Sequence, residues 1–182
     1  MAENIELEHV DALAAGAVGD PGEREFYIQA RTASSQLTVL VEKEQIALLA
    51  AEAVAFLDRI ADDFPEEESE AAPAAQKGGL QEPTVPLFRA RLIGIGFDPD
   101  RGLVLIELRE RSAEGEGEED APPPESPPEE PEEGYVARIY ATRSQVRAMA
   151  VRGAAAVAAG RPACPLCDMP MDPSGHRCPR WN

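Results

Sequence analysis

Three cysteines and a histidine stand within fifteen residues near the C-terminus, as Cys164-Pro165-Leu166-Cys167 and then His176-Arg177-Cys178. They are all the cysteines of the chain and one of its two histidines. Thiolate and imidazole are the donors zinc prefers, and Cys3His is a set that closes its tetrahedron. C-x2-C puts two thiolates on one tight turn, which Pro165 restricts. His176-x-Cys178 supplies the second pair, and Asp172-Pro173-Ser174-Gly175 turns the chain back between them. Four protein ligands leave the metal no open position. Cys164, Cys167, His176 and Cys178 are therefore expected to hold a structural zinc in a knuckle over residues 161–182. Binding would supply on the order of 10 kcal/mol to a segment too small to fold alone. The spacing is shorter than in the common fingers, and two other states stay open: a Cys164–Cys167 disulfide, or three thiols without metal. A redox C-x-x-C should open a helix beside a βαβ unit, and Pro-rich turns lie here instead. Asp168 and Asp172 read as turn residues, and His9 as a surface histidine.

The charge around this cluster is uneven. Of 34 acids, six fall in residues 62–70 and ten in 112–133, two stretches without Lys or Arg. Removing those 16 leaves 18 acids against 17 bases, so the formal charge of −17 belongs to two solvated segments rather than to the body. Such acidity argues against indiscriminate nucleic-acid binding. From Tyr135 to Asn182 the balance reverses, with seven arginines and two acids. Arg143, Arg147, Arg177 and Arg180 are the candidate anion- or partner-binding residues. The bland reading is an ordinary solvated face balanced by the acidic insertion.

Periodicity places these residues on elements. Residues 1–15 are weakly patterned, an arm or a first strand beginning near Val10. Gly16 to Gly22 spaces three glycines as a phosphate loop does, but no helix or Lys-Ser/Thr pair follows, and Asp20-Pro21-Gly22 reads as a turn. Arg24–Arg31 and Leu37–Glu42 read as strands, the first with Glu25, Tyr27, Gln29 and Arg31 on its outer face. A helix from Lys43 carries the stripe Ile46, Leu49, Ala50, Ala53, Leu57 and Ile60 and stops before Pro65. Residues 65–86 are acidic and then Pro/Gly/Ala-rich, a disordered loop. Leu87–Phe97 reads as one long strand with a bulge or close approach at Gly94 and Gly96. Asp98 to Gly102 is a hairpin turn leading to Leu103–Arg109. Residues 112–133 cannot bury a core and read as a disordered insertion before Tyr135–Ala141. Thr142 and Gln145 form a capping box for a helix whose stripe is Val146, Met149, Ala150, Gly153 and Val157, ended by Gly160.

The helices align at an offset of 100, Gln45 on Gln145, Ile46 on Val146, Leu49 on Met149. The expected architecture is α+β, residues 1–160. It has an open antiparallel sheet from two similar β-β-(β)-α halves, with two packed helices on one face and the zinc knuckle appended.

Several segments in this order resemble a known family: G-A-V-G-D-P-G-E-R-E-F-Y-I-Q-A-R, E-K-E-Q-I-A-L-L-A, G-F-D-P-D, S-Q-V-R-A-M-A and A-A-G-R-P-A-C-P-L-C-D-M-P-M-D-P-S-G-H-R-C-P-R-W-N. The chain is similar to the mainly actinobacterial family catalogued as domain of unknown function 3090. The resemblance implies a bacterial cytoplasmic protein whose Cys/His motif falls at Cys164, Cys167, His176 and Cys178, and it carries no activity or catalytic residues. One departure is Asp168, where a glycine would ease the knuckle; aspartate tolerates positive φ better than most residues. The acidic insertion is a second departure.

Three functions compete. A non-enzymatic, zinc-stabilised interaction module with a protein partner fits the closed ligand set and the lack of a nucleophile–base pair. An RNA- or DNA-binding protein would use the Arg-rich C-terminal face and the knuckle, although only Trp181 offers aromatic stacking there. An enzyme would have to use polar residues such as Glu23, Arg24, Gln29 and Arg31. The N-terminus lacks a basic and an apolar region, and no apolar run approaches the ~20 residues of a membrane span. A cytoplasmic, reducing setting is expected, without a membrane partner.

Overall fold

Alternating apolar residues build the strands that lead into each helix. The computed structural model describes residues 2–65, 79–110, 134–172 and 174–181. Among them the order is β1 (Ala2–Leu7), β2 (Ala12–Val18), β3 (Glu25–Arg31), β4 (Gln36–Val41), α1 (Lys43–Asp63), β5 (Phe88–Arg89), β6 (Leu92–Asp98), β7 (Leu103–Arg109), β8 (Gly134–Ala141) and α2 (Arg143–Ala158). The fold is α+β.

The strands form two four-stranded sheets, ordered β2-β3-β4-β5 and β1-β8-β7-β6, rather than one open antiparallel sheet. Three strands of each sheet are consecutive and antiparallel. The fourth is exchanged: β1 joins β8 in parallel, and β5 joins β4 in parallel. Leu87–Phe97 is accordingly not one strand. The chain leaves the first sheet after Arg89, passes through fully buried Ala90, and enters the second at Leu92. Gly94 and Gly96 sit in unbroken register opposite Glu107 and Leu105, so no bulge is present.

Both helices carry a glutamine at their third position. Gln45 accepts from the Glu42 amide at 2.8 Å, and Gln145 from the Thr142 amide at 2.8 Å. Each then donates to the link beyond an exchanged strand: Gln45 to the Ala90 and Arg91 carbonyls, Gln145 to the Val10 carbonyl at 2.8 Å. A residue type chosen for capping thus also ties the crossover to the helix. The helices pack antiparallel. Arg143, at the start of α2, donates to the Phe64 carbonyl that ends α1, and Lys43, at the start of α1, lies beside Gly160 past the end of α2. One core joins Ile28 and Val39 of the first sheet, Ile106 and Ile139 of the second, and Ile46, Leu57, Val146 and Met149 of the helices.

Strand β3 is buried on both faces, so Gln29 does not lie on an exposed face as alternation predicts. It is 0% exposed. The reason is residues 79–86, the described end of the expected loop. They carry no helix or strand but lie along the sheet: Leu80 covers Gly16, Gln36 donates to the Pro83 carbonyl at 3.1 Å, and the Leu87 amide donates to Thr38 at 2.9 Å. Gln29 donates to Gln81 O at 2.9 Å and to Thr38 Oγ1 at 3.1 Å, and accepts from the Gln81 amide at 2.9 Å. Gln29→Leu keeps the volume but orphans these groups. A loss of about 1–3 kcal/mol is expected, read as a lower urea midpoint with unchanged slope. The rest of the expected disordered loops, residues 66–78 and 112–133, lies outside the described residues. Among the described residues no helix is long and apolar enough to cross a membrane.

Candidate metal centre

The knuckle is built by short-range turns. Ala163 and Pro170 pair as an antiparallel bridge, the Cys164 amide donates to the Met169 carbonyl at 2.8 Å, and the Asp168 amide returns to the Cys164 carbonyl at 2.9 Å. Closing so tight a loop drives Asp168 to φ 59, the left-handed conformation expected where a glycine would be easier. A second turn, bridged between Asp172 and Gly175 with Gly175 at φ 88, returns the chain to His176. Side chains far apart in sequence then meet.

The donor atoms of Cys164, Cys167, His176 and Cys178 all lie within 4.8 Å of one another. Cys164 Sγ is 3.9 Å from Cys178 Sγ, and Cys167 Sγ is 3.2 Å from His176 Nε2. Bond lengths of about 2.3 Å to sulfur and 2.0–2.1 Å to nitrogen at tetrahedral angles require edges of roughly 3.8 and 3.5 Å. The four donor atoms therefore lie close enough to hold one metal ion. All three thiols are free.

Their acidities differ. The Leu166 amide, 3.5 Å from Cys164 Sγ, is the main cause lowering the Cys164 thiol below its ordinary value, and it outweighs burial. The Met169 amide pulls Cys167 down, but burial and the neighbouring sulfurs together outweigh it and raise that thiol overall. A bound cation would draw protons from the whole set.

Arg161 secures the knuckle to the body, and Arg24 secures the end of α2 from which the knuckle hangs. Arg161 pairs with Asp172 at 2.7 Å, and its guanidinium lies flat against Gly22, where an added Cβ would stand 3.3 Å from Nε. Arg24 donates to the Ala156 carbonyl at 3.1 Å and to that of Ala159, satisfying the open end of α2. A cleft of about 360 Å³ remains between knuckle and body, lined by Arg24, Lys43, Arg89, Arg161 and Pro170 among others. Arg161 and Gly22 were not legible as partners, because no local spacing links a turn before β3 to the residue after α2.

The four arginines do not form one surface. Arg177 and Arg180 are exposed on the knuckle, Arg180 donating to the Leu166 carbonyl at 3.0 Å. Arg147 is half-buried on α2. Arg143 is 5% exposed and stacks 4.8 Å from the Phe97 ring, so it is a packing residue at the end of α1 and not a docking residue. The polar residues weighed for an enzyme do not converge either. Arg24 and Arg31 lie at opposite ends of β3, about 24 Å apart at strand rise, and Gln29 is sealed between them. Arg31 instead lines an open polar cleft of about 770 Å³ with Asp11, Thr32, Ser34 and Ser35. His9 is exposed.

A family model described as "Protein of unknown function (DUF3090)" matches residues 5–178, a span holding both sheets and the complete Cys/His set. No curated protein and no solved structure matches the chain.

Proposed function

The chain belongs to the family of proteins of unknown function DUF3090, and from that premise we propose a non-enzymatic interaction module of the bacterial cytoplasm whose knuckle is held by structural zinc. The observation that carries the reading is the closed set of four donors within 4.8 Å, which uses every tetrahedral position and leaves none for a substrate or water. The knuckle also presents unsatisfied apolar surface. Leu166 and Met169 are half exposed and Trp181 is 78% exposed, flanked by Arg177 and Arg180. Aromatic and arginine side chains together are the composition of a binding hot spot. The partner is a protein presenting acidic and apolar groups.

Exposed Trp181 between arginines also favours a second reading, single-stranded RNA or DNA stacked on the indole and held by charge. The matched sheet orders, exchanged strands and paired glutamines Gln45 and Gln145 support descent of the two halves from one repeated unit.

Full-length protein purified under reducing conditions is expected to carry one zinc per chain by elemental analysis; metal-free, folded protein would sink the zinc reading. Titration with single-stranded oligonucleotides separates the two partners. Binding that weakens with salt and is lost in Trp181→Ala establishes the nucleic-acid reading. No binding at low salt removes it.

A further inference from the structure

The three thiols of the knuckle differ in how solvent reaches them. Cys164 is 4% exposed, whereas Cys167 and Cys178 are half-buried. They also differ in what they face. Cys178 Sγ stands 3.9 Å from Cys164 Sγ, while Cys167 Sγ meets His176 Nε2 at 3.2 Å. A disulfide needs about 2.05 Å between sulfurs, so the Cys164–Cys178 gap closes by roughly 1.9 Å of side-chain movement.

A contact other than the donor cluster brings Cys178 to this position. Arg180, two residues beyond it, donates to the Leu166 carbonyl at 3.0 Å. Leu166 belongs to the turn that the Asp168 amide closes onto the Cys164 carbonyl at 2.9 Å. The segment bearing Cys178 is thereby braced against the turn bearing Cys164. An accessible thiol beside a sheltered one is the arrangement of a redox-sensing pair, in which the first is oxidised and the second resolves it.

We infer that the knuckle is a redox switch, in which a hydroperoxide joins Cys164 to Cys178 and expels the metal that the reduced cluster holds. The inference rests on the zinc reading and adds regulation of the same site. Cys178 reacts first, as a thiolate. Its sulfur attacks the peroxide, an S–O bond forms, the O–O bond breaks, and hydroxide leaves. Cys178 is then a sulfenic acid. The Cys164 thiolate attacks that sulfur, an S–S bond forms, the S–O bond breaks, and a second hydroxide leaves. Two thiolates have given two electrons to one peroxide, and two protons from solvent turn both hydroxides into water. Two of the four donors are consumed, and Cys167 and His176 alone do not close a tetrahedron. A dithiol reductant reverses the step by thiol–disulfide exchange and restores the four donors.

The test uses the full chain, reduced, loaded with zinc, and treated with excess hydrogen peroxide. Released zinc is followed with a chromogenic chelator, and the disulfide is located by peptide mass spectrometry. One zinc per chain is expected to leave as a Cys164–Cys178 disulfide forms, and to return when a dithiol reductant and zinc are added. Cys178→His keeps a four-donor Cys2His2 set but removes the thiol that reacts first. It is expected to release zinc at least about tenfold more slowly than wild type. Release at the wild-type rate overturns the role of Cys178. A zinc-loaded wild type that keeps its metal under peroxide overturns the switch and leaves the zinc reading standing. So does release with Cys164 and Cys178 unlinked, as in a Cys164–Cys167 disulfide. A reduced chain that takes up no zinc overturns the zinc reading and the switch with it.

Discussion

Cys178→Ser is expected to release the metal and unravel the knuckle while the body stays folded. Cys178 lies 3.9 Å from Cys164 and is not one of the residues of the main core. Serine is nearly isosteric, but its hydroxyl remains protonated where a thiolate would bind. Loss of a supporting hydrogen bond around a metal ligand costs 10–100-fold in affinity. Loss of the ligand itself should exceed the upper figure, about a hundredfold. Apart from a metal, residues 161–172 are held by short turns, the Ala163–Pro170 bridge, Arg161 against Gly22, Arg180 on the Leu166 carbonyl and the Arg161–Asp172 pair, and an exposed pair stabilises by less than about 1 kcal/mol. Without metal little remains to order them.

Hydrogen exchange reads the two parts separately. Amide protection at Cys164, Asp168 and Met171 should vanish in Cys178→Ser, and in wild type treated with a chelator. Protection of β3 and β7 should persist, because their inward residues Ile28 and Ile106 are sealed in the body. Retention of stoichiometric metal by the variant would show that Cys178 is not a ligand. Acid should mimic the substitution, since the donors bind metal only when deprotonated.

Gly153→Val should destabilise the body itself. Gly153 marks the crossing of α2 with α1 and β2: a Cβ placed there would stand 3.0 Å from Ile46 Cγ2 and 3.3 Å from Ala15 Cβ. Valine adds two more methyl groups to a site already closed by one. Overpacking costs about 1–3 kcal/mol, and a lowered thermal midpoint is the readout. Gly153→Ala should be milder, because it adds one methyl group and helix propensity returns up to about 1 kcal/mol against the two close contacts. The interaction is testable by coupling: Ile46→Ala in the Gly153→Val chain should recover part of the loss, although Ile46→Ala alone is destabilising. Strictly additive effects would mean the crossing is not where the strain arises.

What could be read from the sequence was local. The cluster of Cys164, Cys167, His176 and Cys178 was legible because its spacings are short, and the left-handed turn at Asp168 falls where the family resemblance led to a glycine being expected. Both helices and strands β3, β4, β7 and β8 were legible because each repeats its own period over six or more residues, and the Thr142–Gln145 cap was legible from its spacing, whereas the cap at Gln45 was not read. Strands β1 and β5 were not. β5 has two residues, and both owe their place to a parallel neighbour in the other half of the chain, so no period announces them. Gln29 alternates as a surface residue would, and is buried only because Gln81, 52 positions later, covers it. Arg143 looks like a solvated helix residue until the end of α1 is brought against it. The tertiary structure also decided that two helices far apart in the chain pack antiparallel, with the start of α2 against the end of α1. Periodicity and ligand spacing are properties of neighbours along the chain. Burial, strand exchange and surface continuity depend on which distant segments come to lie together, and only the folded chain determines that.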